Sequence, residues 1–253
     1  MTERRSNGGP EGFVGAAPHV AEVRATPAPT QARLLQAAER LFAERGIDAV
    51  SLREITRQSG ARNAIALQYH FTDRAGVLAA IVAKHEPGIE AARHALLDEY
   101  EASTRAAAGA GASPAGPGLR PLAAALVRPL AAKLVDPDGG PEYLRIQADL
   151  LSRPRPVIGD RWRTGPGNSM FRWRAMVDPF LAEESIRLHR RFTAVLHTAV
   201  ELGRRAASGP HADDRLFVSH LIDVVTAILG GPVSDETRRL IRSASRRRPV
   251  RAS

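Results

Sequence analysis

Side chains that can bind nucleic acid concentrate between Ser51 and Phe71 of this 253-residue chain, in the segment SLREITRQSGARNAIALQYHF. Arginine guanidinium groups pair with phosphate oxygens, and asparagine or glutamine amides can hydrogen-bond the edge of an adenine. The segment has the pattern of two short helices joined by a turn at Gly60. We therefore expect a helix-turn-helix whose second helix reads DNA.

The candidate DNA-contacting residues are all polar or cationic, and they are Ser51, Arg53, Arg62, Asn63, Gln68, Tyr69, His70 and Arg74. We expect Arg53 and Arg74 to contact phosphates, although most surface arginines are simply solvated. Two interpretations stay open for each of the two amide side chains, Asn63 and Gln68. Asn63 either caps the recognition helix or touches a base, and Gln68 either reads adenine or is an ordinary exposed helix residue.

The helices around this segment begin and end at recognisable residues. Apolar side chains recur at helical spacing before it, and they are Leu34, Leu35, Ala38, Leu41 and Phe42. Gly46 is expected to end this helix in the left-handed conformation that glycine adopts freely. Ser51 and Glu54 have the spacing of a capping box, which predicts the start of the next helix. Asp73 is expected to cap the helix that follows the recognition helix.

From about Thr30 to Ile81 the chain resembles the N-terminal domain of the TetR family of bacterial transcriptional regulators. The residues that carry the resemblance are Phe42, Gly46, Ser51, Arg53, Ile55, Gly60, Tyr69, His70, Phe71 and Arg74. The interval from Gly60 to Phe71 is one residue longer than the commonest family spacing. It is similar to an actinobacterial-type subgroup with R-N-x-x-A-x-Q-Y-H-F in this place. The family commonly turns the tyrosine at the position of Tyr69 toward backbone phosphates, and we expect the same of His70.

The resemblance implies an all-α protein with an N-terminal three-helix helix-turn-helix head and a larger helical core and dimerisation domain. It also implies a ligand-responsive repressor that binds a palindromic double-stranded DNA operator as a homodimer. In this family the last two helices pair with their copies in a four-helix interface. The apolar helix near the C-terminus fits that role, because it must be buried on more than one side. The expected interface residues are Phe217, Leu221, Val224, Val225 and Ile228.

We expect four regions along the chain. They are a disordered arm at 1–29, the helix-turn-helix domain at 30–75, the effector-binding and dimerisation domain at 76–230, and a basic, mostly flexible tail at 231–253. The pair Pro87-Gly88 is expected to kink or break the helix that leaves the head. Residues 106–118 are expected to form a mobile loop. Asp178-Pro179 is expected to open a long helix that runs to about Arg205.

A group of aromatic and methionine side chains stands out in a chain with only 5% aromatics, and it consists of Trp162, Met170, Phe171, Trp173 and Met176. One interpretation is that these residues simply pack the middle helices. The other is that they line a pocket for an unknown, largely apolar small-molecule effector, which the family resemblance places among the central helices.

Composition and missing motifs narrow the function further. The net charge of +9 and the pI near 11.0 are consistent with a polyanionic partner. The absence of cysteine excludes disulfides and thiolate chemistry. Since no H-E-x-x-H, G-x-S-x-G or G-x-G-x-x-G occurs, we expect no enzyme, no cofactor and no metal site. No apolar run reaches the ~18 residues of a membrane span and no signal segment is visible, so a cytoplasmic protein without a membrane partner is expected. Asp223, in an apolar helix, is expected to pair with a histidine or an arginine.

Two other classes of function stay open. One is a non-catalytic small-molecule-binding helical protein, or an enzyme, that uses the helix-turn-helix for protein contacts. The other is a nucleoid-like protein that binds DNA without sequence preference.

Overall fold

The computed structural model describes residues 29–60, 71–109, 118–154 and 167–246. This described part is helical and contains no strand, which confirms the all-α prediction. In chain order the helices are α1 (Pro29–Arg45), α2 (Leu52–Gln58), α3 (Arg74–Gly109), α4 (Leu119–Ala131), α5 (Gly140–Ser152), α6 (Ser169–Val177), α7 (Glu183–Arg187), α8 (Arg190–Ala207), α9 (Arg215–Gly230) and α10 (Asp235–Arg246). Short 3-10 turns at Ala132–Val135 and Asp178–Phe180 follow α4 and α6.

The head consists of α1, α2 and the first turns of α3, around one apolar core. Phe42 is 2% exposed, and Ile55 and Ile81 are both 0% exposed. Burying a side chain of this size contributes about 1.5–3 kcal/mol. The predicted start and end points are confirmed: α1 ends before Gly46, whose φ is +86°, and the Ser51 hydroxyl accepts the N–H of Glu54 at 3.2 Å. The carboxylate of Glu54 bonds Arg45 in α1, so this carboxylate ties α2 to α1.

The helix that leaves the head is continuous through Pro87-Gly88, so the predicted break is wrong, whereas the alternative of a kink stays a prediction. α3 runs from Arg74 to Gly109 with Pro87 inside it. A proline at this position leaves the carbonyl of Ala83 without its helical donor. Ala83 is exposed, so water can serve that carbonyl and the helix continues. Asp73 caps α3 as expected, since its carboxylate accepts the N–H of Gly76 at 2.8 Å.

The body of the molecule is built from α3, α4, α5, α8 and α9, which pack side by side. α5 and α8 come into close contact at Gly203 of α8. A Cβ on this glycine would lie 2.6 Å from the Cβ of Ala148 and 3.1 Å from the carbonyl oxygen of Leu144. The close approach explains why α8 carries a glycine inside a helix, where glycine otherwise costs about 0.5–1 kcal/mol relative to alanine.

The single long helix expected from Asp178-Pro179 to about Arg205 is replaced by several shorter elements. Asp178–Phe180 is a 3-10 turn, α7 covers Glu183–Arg187, and α8 begins at Arg190. Leu181 interrupts the helix with extended backbone at ψ 132°, and its side chain is buried, 9% exposed. Burial of this side chain outweighs the helical continuation that the local sequence favours. A second break follows at His189, the non-glycine residue with positive φ (56°) among the described residues.

Two predicted flexible regions are partly helical. Residues 106–109 of the loop expected at 106–118 belong to α3, and residues 110–117 lie outside the described residues. In the predicted flexible tail at 231–253, residues Asp235–Arg246 form α10. The side chain of Ser234 accepts the N–H of Thr237 at 3.3 Å at the start of this helix. Residues 1–28, 155–166 and 247–253, which include the predicted N-terminal arm and the end of the tail, lie outside the described residues.

No single helix of the described ranges is long and apolar enough to cross a membrane. The bent pair formed by Arg215–Gly230 and Asp235–Ala244, which meet at 52°, satisfies the length and composition criterion together.

Candidate nucleic-acid interface

α2 carries two exposed cations of the head, Arg53 and Arg57. Arg53 is exposed, and the side chain of Arg57 is 80% exposed and lies 3.7 Å from Glu54. Ser51, also exposed, stands at the N-cap of this helix. The structure therefore brings Ser51 and Arg53 together on the side of the head where the turn at Gly60 begins, with guanidinium groups accessible to a polyanion.

Arg74 differs from Arg53, because other residues of the head bind the guanidinium of Arg74. Its Nη2 donates to the carbonyl oxygen of Val50 at 2.9 Å, and its Nη1 lies 3.7 Å from Asp48. The side chain is 41% exposed. Arg74 thus ties the start of α3 to the segment between α1 and α2, and its phosphate contact stays a prediction.

The candidate residues Arg62, Asn63, Gln68, Tyr69 and His70 fall in residues 61–70, outside the described residues.

The head is joined to the body by a polar cluster with a buried centre, which we call the junction cluster: Glu39 of α1, Lys84 and His85 of α3, and the exposed Asp138 of the turn before α5. Glu39 is 1% and His85 is 2% exposed. His85 Nε2 lies 2.9 Å from Glu39 Oε1, and Lys84 Nζ donates to Glu39 Oε2 at 2.9 Å. Lys84 also lies 2.9 Å from Asp138. Both oxygens of a carboxylate buried in the head are thus bonded by α3.

The electrostatics of the junction cluster favour the charged form of the Lys84 ammonium. Burial lowers the pKa of the Lys84 ammonium, but hydrogen bonds to Asp138 and Glu39 outweigh that effect and leave the pKa raised. The His85 ring also stacks on Tyr143 of α5, with ring centroids 4.5 Å apart. Gly139, at φ +78°, makes the arrangement possible, because a Cβ there would lie 2.5 Å from Glu39 Oε2.

A second contact between head and body surrounds Asp48, in the segment after α1. Arg153 at the end of α5 donates to Asp48 at 2.9 Å and to Asp149 at 3.3 Å. The backbone N–H of Ile47 reaches Asp149 at 3.4 Å. The segment between α1 and α2 is therefore held by α5 and by Arg74 of α3.

A comparison with known protein families identifies the type of domain that forms the head. Residues 34–81 match the family model of bacterial regulatory proteins of the TetR family. The chain carries a TetR-type DNA-binding domain. This match supports a DNA-binding transcriptional regulator, and the family consists of regulators that are in general not enzymes. A search of curated proteins finds no match to the chain.

The aromatic and methionine side chains that were expected to line an effector pocket lie partly in the core and partly at the surface. Trp173 is 1% exposed, and its indole N–H donates to the carbonyl oxygen of Leu122 at 2.8 Å, so it packs α6 against α4. Phe171 is 47% exposed. Met170 and Met176 are partly buried against the core, and Trp162 lies outside the described residues. Of the four described side chains, Met170 borders a cavity.

A second buried cluster lies beside Met170, and we call it the central cluster: Glu90 and Arg93 of α3, Gln147 of α5 and Ser169 of α6. Arg93 Nη1 donates to Ser169 Oγ at 2.8 Å and to Glu90 Oε1 at 3.2 Å. Glu90 also accepts the backbone N–H of Ser169 at 2.8 Å. Burial lowers the pKa of Arg93, and the nearby charge of Glu90 opposes this effect. The cluster anchors the first turn of α6 on α3.

The predicted dimer residues on α9 are of two kinds. Leu221 and Val225 are 3% and 0% exposed within the single chain, so both side chains pack in its own core. A part for them in a dimer interface stays a prediction. Phe217, Val224 and Ile228 are partly buried, and Phe217 lies under the Arg205 guanidinium, 5.0 Å from the ring centroid. Packing against α4 and α8 largely explains why α9 is apolar on most sides.

Asp223, the acidic residue within the apolar helix α9, has a partner of the kind that the sequence predicted. Asp223 accepts a hydrogen bond from Arg120 Nε of α4 at 2.9 Å. In the described ranges no group of three or more histidine, aspartate or glutamate side chains could hold a metal ion.

The sequence analysis missed both buried clusters. One signal was present: Glu39 stands among the apolar positions of α1, four residues after Leu35 and three before Phe42. A charged residue on a buried face needs a partner, but nothing near it in the sequence identifies Lys84 or His85.

Proposed function

We propose that the chain is a homodimeric, ligand-responsive repressor that binds a palindromic operator. The observation that carries the proposal is the TetR-type head at residues 34–81, joined to a larger helical body by buried contacts. Exposed arginines of the head supply sequence-independent attraction to phosphates. The candidate residues of the recognition helix, Asn63 and Gln68, supply the base contacts that specify sequence.

A second copy of the chain fits the outer side of α8 and α9. Phe192, Leu196 and Val200 follow one another at intervals of four on α8 and are partly or fully outside the core. Phe192 is 37% exposed, and Leu216 at the start of α9 is 83% exposed. Because α8 and α9 pack against each other, two copies of this pair can form a four-helix interface. We place Phe217, Val224 and Ile228 at its edge.

Twofold symmetry then determines the form of the operator. Two recognition helices related by a twofold axis reach successive major grooves about 34–36 Å apart, so the operator is an imperfect palindrome. α3 connects the head to the body as one continuous helix. A ligand that shifts α3 in the body therefore changes the separation of the heads, provided that it binds the released state more tightly.

Selection of bound genomic fragments tests the operator directly. We expect a palindromic consensus that the protein binds about 10³-fold or more tightly than random DNA. A reporter gene placed behind the selected fragment should be silenced by the protein. Equal affinity for selected and random fragments would show a nucleoid-like binder, and no binding to either would favour a helix-turn-helix used for protein contacts.

The dimer is tested by charging the proposed interface without disturbing the core. Phe192→Arg should convert a dimer into a monomer in size-exclusion chromatography with light scattering, and operator affinity should fall with it. Leu240→Arg on α10 is the matched control, because Leu240 is 61% exposed and lies outside the proposed interface. A wild-type protein that is monomeric at micromolar concentration would contradict the proposal.

A further inference from the structure

The excess positive charge of the chain is concentrated near its C-terminal end more than in the head. Residues 238–253 contain seven arginines and no acidic residue, a formal excess of +7. The head, residues 30–75, contains seven arginines against five acidic residues, a formal excess of only +2. A surface that attracts a polyanion is therefore expected at this end of the chain as well as in the head.

α10 presents part of this charge to solvent. Arg239 and Arg242 are exposed, stand three residues apart on one side of the helix, and form no ion pair among the described residues. Arg238 differs, since it bonds Asp235 at 3.0 Å and lies 3.9 Å from Glu184 of α7. Two guanidinium groups are thus open to a partner, while the third attaches α10 to the body.

The helix dipole does not explain these two arginines. Cations are favoured near the C-terminus of a helix, but the effect falls off within the last turn. α10 ends at Arg246, so Arg239 stands a full turn too early and Arg242 just precedes the last turn. The stability of the helix itself therefore does not account for their positions.

The neighbours of α10 lie at the part of the body that is remote from the head. Arg172 of α6 pairs with Asp98 of α3 at 2.6 Å, and Asp98 lies about 36 Å from Arg74 along α3, at a rise of about 1.5 Å per residue. The first turn of α6 bonds Arg93, whereas its later residue Arg172 bonds Asp98. α6 therefore runs along α3 in the direction away from the head.

The start of α10 is attached beyond that end of α6. Arg191 of α8 pairs with Asp178, the residue that follows α6. The neighbouring Arg190 donates to the carbonyl oxygen of Pro232 at 3.2 Å, three residues before α10 begins. The exposed arginines of α10 and those of the head therefore lie at opposite ends of the molecule.

Duplex DNA is the partner that fits these side chains. A guanidinium group binds phosphate oxygens through two parallel hydrogen bonds, and a duplex carries one phosphate charge per about 1.7 Å of its axis. Protein interfaces are instead centred on aromatic or aliphatic anchors in well-packed pockets. Among the described residues of α10, Leu240 is the exposed large apolar side chain, 61% exposed.

A membrane surface fits less well. A helix that lies on a membrane needs an apolar face along its length, and a single exposed leucine does not provide one. The apolar helix that precedes α10 does not supply the missing surface, because Leu221 and Val225 of α9 are 3% and 0% exposed. The charge of α10 without an apolar face favours DNA.

We propose that α10 is a second DNA-binding surface, which binds the phosphates of a DNA segment other than the one on the head. Phosphate contacts carry no sequence information, so this surface binds DNA of any sequence. The protein then holds two DNA segments together, one at each end of the molecule. The inference needs neither an operator nor an effector, and so goes beyond the proposed function.

The test is a bridging assay with the full-length protein and a short random-sequence duplex. One copy of the duplex is fixed to beads, the protein is bound to it at low salt, and capture of a second, fluorescent copy is measured. We expect the wild type to capture the second duplex saturably, and Arg239→Gln/Arg242→Gln to capture it at least about tenfold more weakly. The logarithmic salt dependence of capture should fall by about 2, about 1 for each arginine.

Two further variants separate phosphate contact from other effects. Arg128→Gln/Arg174→Gln removes the same charge from exposed positions of α4 and α6, and it should capture the second duplex as the wild type does. Arg239→Lys/Arg242→Lys keeps the charge and should keep most of the capture. Every variant should still bind a single duplex, because the head is unchanged.

Equal capture by the wild type and Arg239→Gln/Arg242→Gln would overturn the proposal, and so would an equal loss in the Arg128→Gln/Arg174→Gln control. Wild-type binding to phosphatidylglycerol vesicles that is lost in Arg239→Gln/Arg242→Gln, with duplex capture unchanged, would assign α10 to a membrane instead. If bridging depends on α10 but no operator is found, the second site stands and the proposed repressor function fails. If an operator is found and no second duplex is captured, only the second site is removed.

Discussion

α3 carries two buried polar clusters that differ in one respect. In the junction cluster, Glu39 uses both carboxylate oxygens, with His85 and Lys84 each 2.9 Å away. In the central cluster, Arg93 and Gln147 each keep a buried atom without a partner in the described structure. A fully bonded buried network holds elements in one arrangement, whereas an incompletely bonded one is less stable until something completes it. The first cluster joins head and body, whereas the second anchors α6 on α3 with part of its hydrogen-bonding capacity unused in the described structure.

Breaking the junction cluster should have the largest effect. Glu39→Ala leaves Lys84 and His85 without their buried acceptor, and loss of one partner of a buried ion pair costs about 3–5 kcal/mol. Because Lys84 is 22% exposed, we expect the lower end, about 3 kcal/mol, measured as the free energy of unfolding in urea. Glu44→Ala, at an exposed position of the same helix, should stay within about 0.5 kcal/mol. Similar values for the two variants would remove the cluster from any structural role.

Gly139→Ala tests the same cluster without removing a charge. The new Cβ would lie 2.5 Å from Glu39 Oε2, so the carboxylate or the turn must move. Gly209→Ala is the matched control, because its φ of +95° imposes backbone strain in open space. We expect the control to cost about 1 kcal/mol from strain alone, and Gly139→Ala to cost about 2–3 kcal/mol in urea unfolding. Equal costs would show that the Glu39 carboxylate shifts freely.

Removing a polar group from the central cluster should raise the free energy of unfolding, whereas the two substitutions in the junction cluster lower it. Gln147→Leu eliminates a buried acceptor that has no partner among the described residues, and replacing such a group with an apolar one of similar shape is neutral or stabilising. We expect the free energy of unfolding without ligand to rise by up to about 1 kcal/mol. A loss of 2 kcal/mol or more, on the order of a broken buried hydrogen bond, would mean that the glutamine is already satisfied and that the two clusters do not differ.

Alkaline pH should weaken the junction cluster selectively, and this is the smallest expected effect. The pKa of Lys84 is raised in the folded protein, so the folded state holds this proton more tightly than the unfolded chain. The resulting stabilisation is fully present below the unfolded pKa of about 10.4 and is lost as the pH rises through the higher folded value. Urea unfolding across this range should show a steeper loss for the wild type than for Lys84→Met, in which the tyrosines still titrate. If the stability of the two proteins fell in parallel with pH, the result would contradict this prediction.

The sequence by itself determined the parts of the head that depend on neighbours in the chain. The hydroxyl of Ser51 caps α2 three residues on, and Gly46 and Gly60 take the left-handed conformations of φ +86° and +67°. Such signals act over a single helical turn, so residue type and spacing suffice to identify them. The TetR resemblance was readable for the same reason, because its motif lies within a few short elements.

Only the tertiary structure decided where the buried charges lie and how the helices continue. Glu39 meets His85 across 46 positions, and Arg93 meets Ser169 across 76, so no local pattern pairs them. Pro87 was expected to break α3, but the exposure of Ala83 decides that the helix continues. Packing against α4 and α8 decides that Leu221 and Val225 lie in the core of the single chain. For the buried charges and the α9 core, the free energy comes from burial against distant segments, and at Ala83 it comes from access to water. A one-dimensional pattern contains neither.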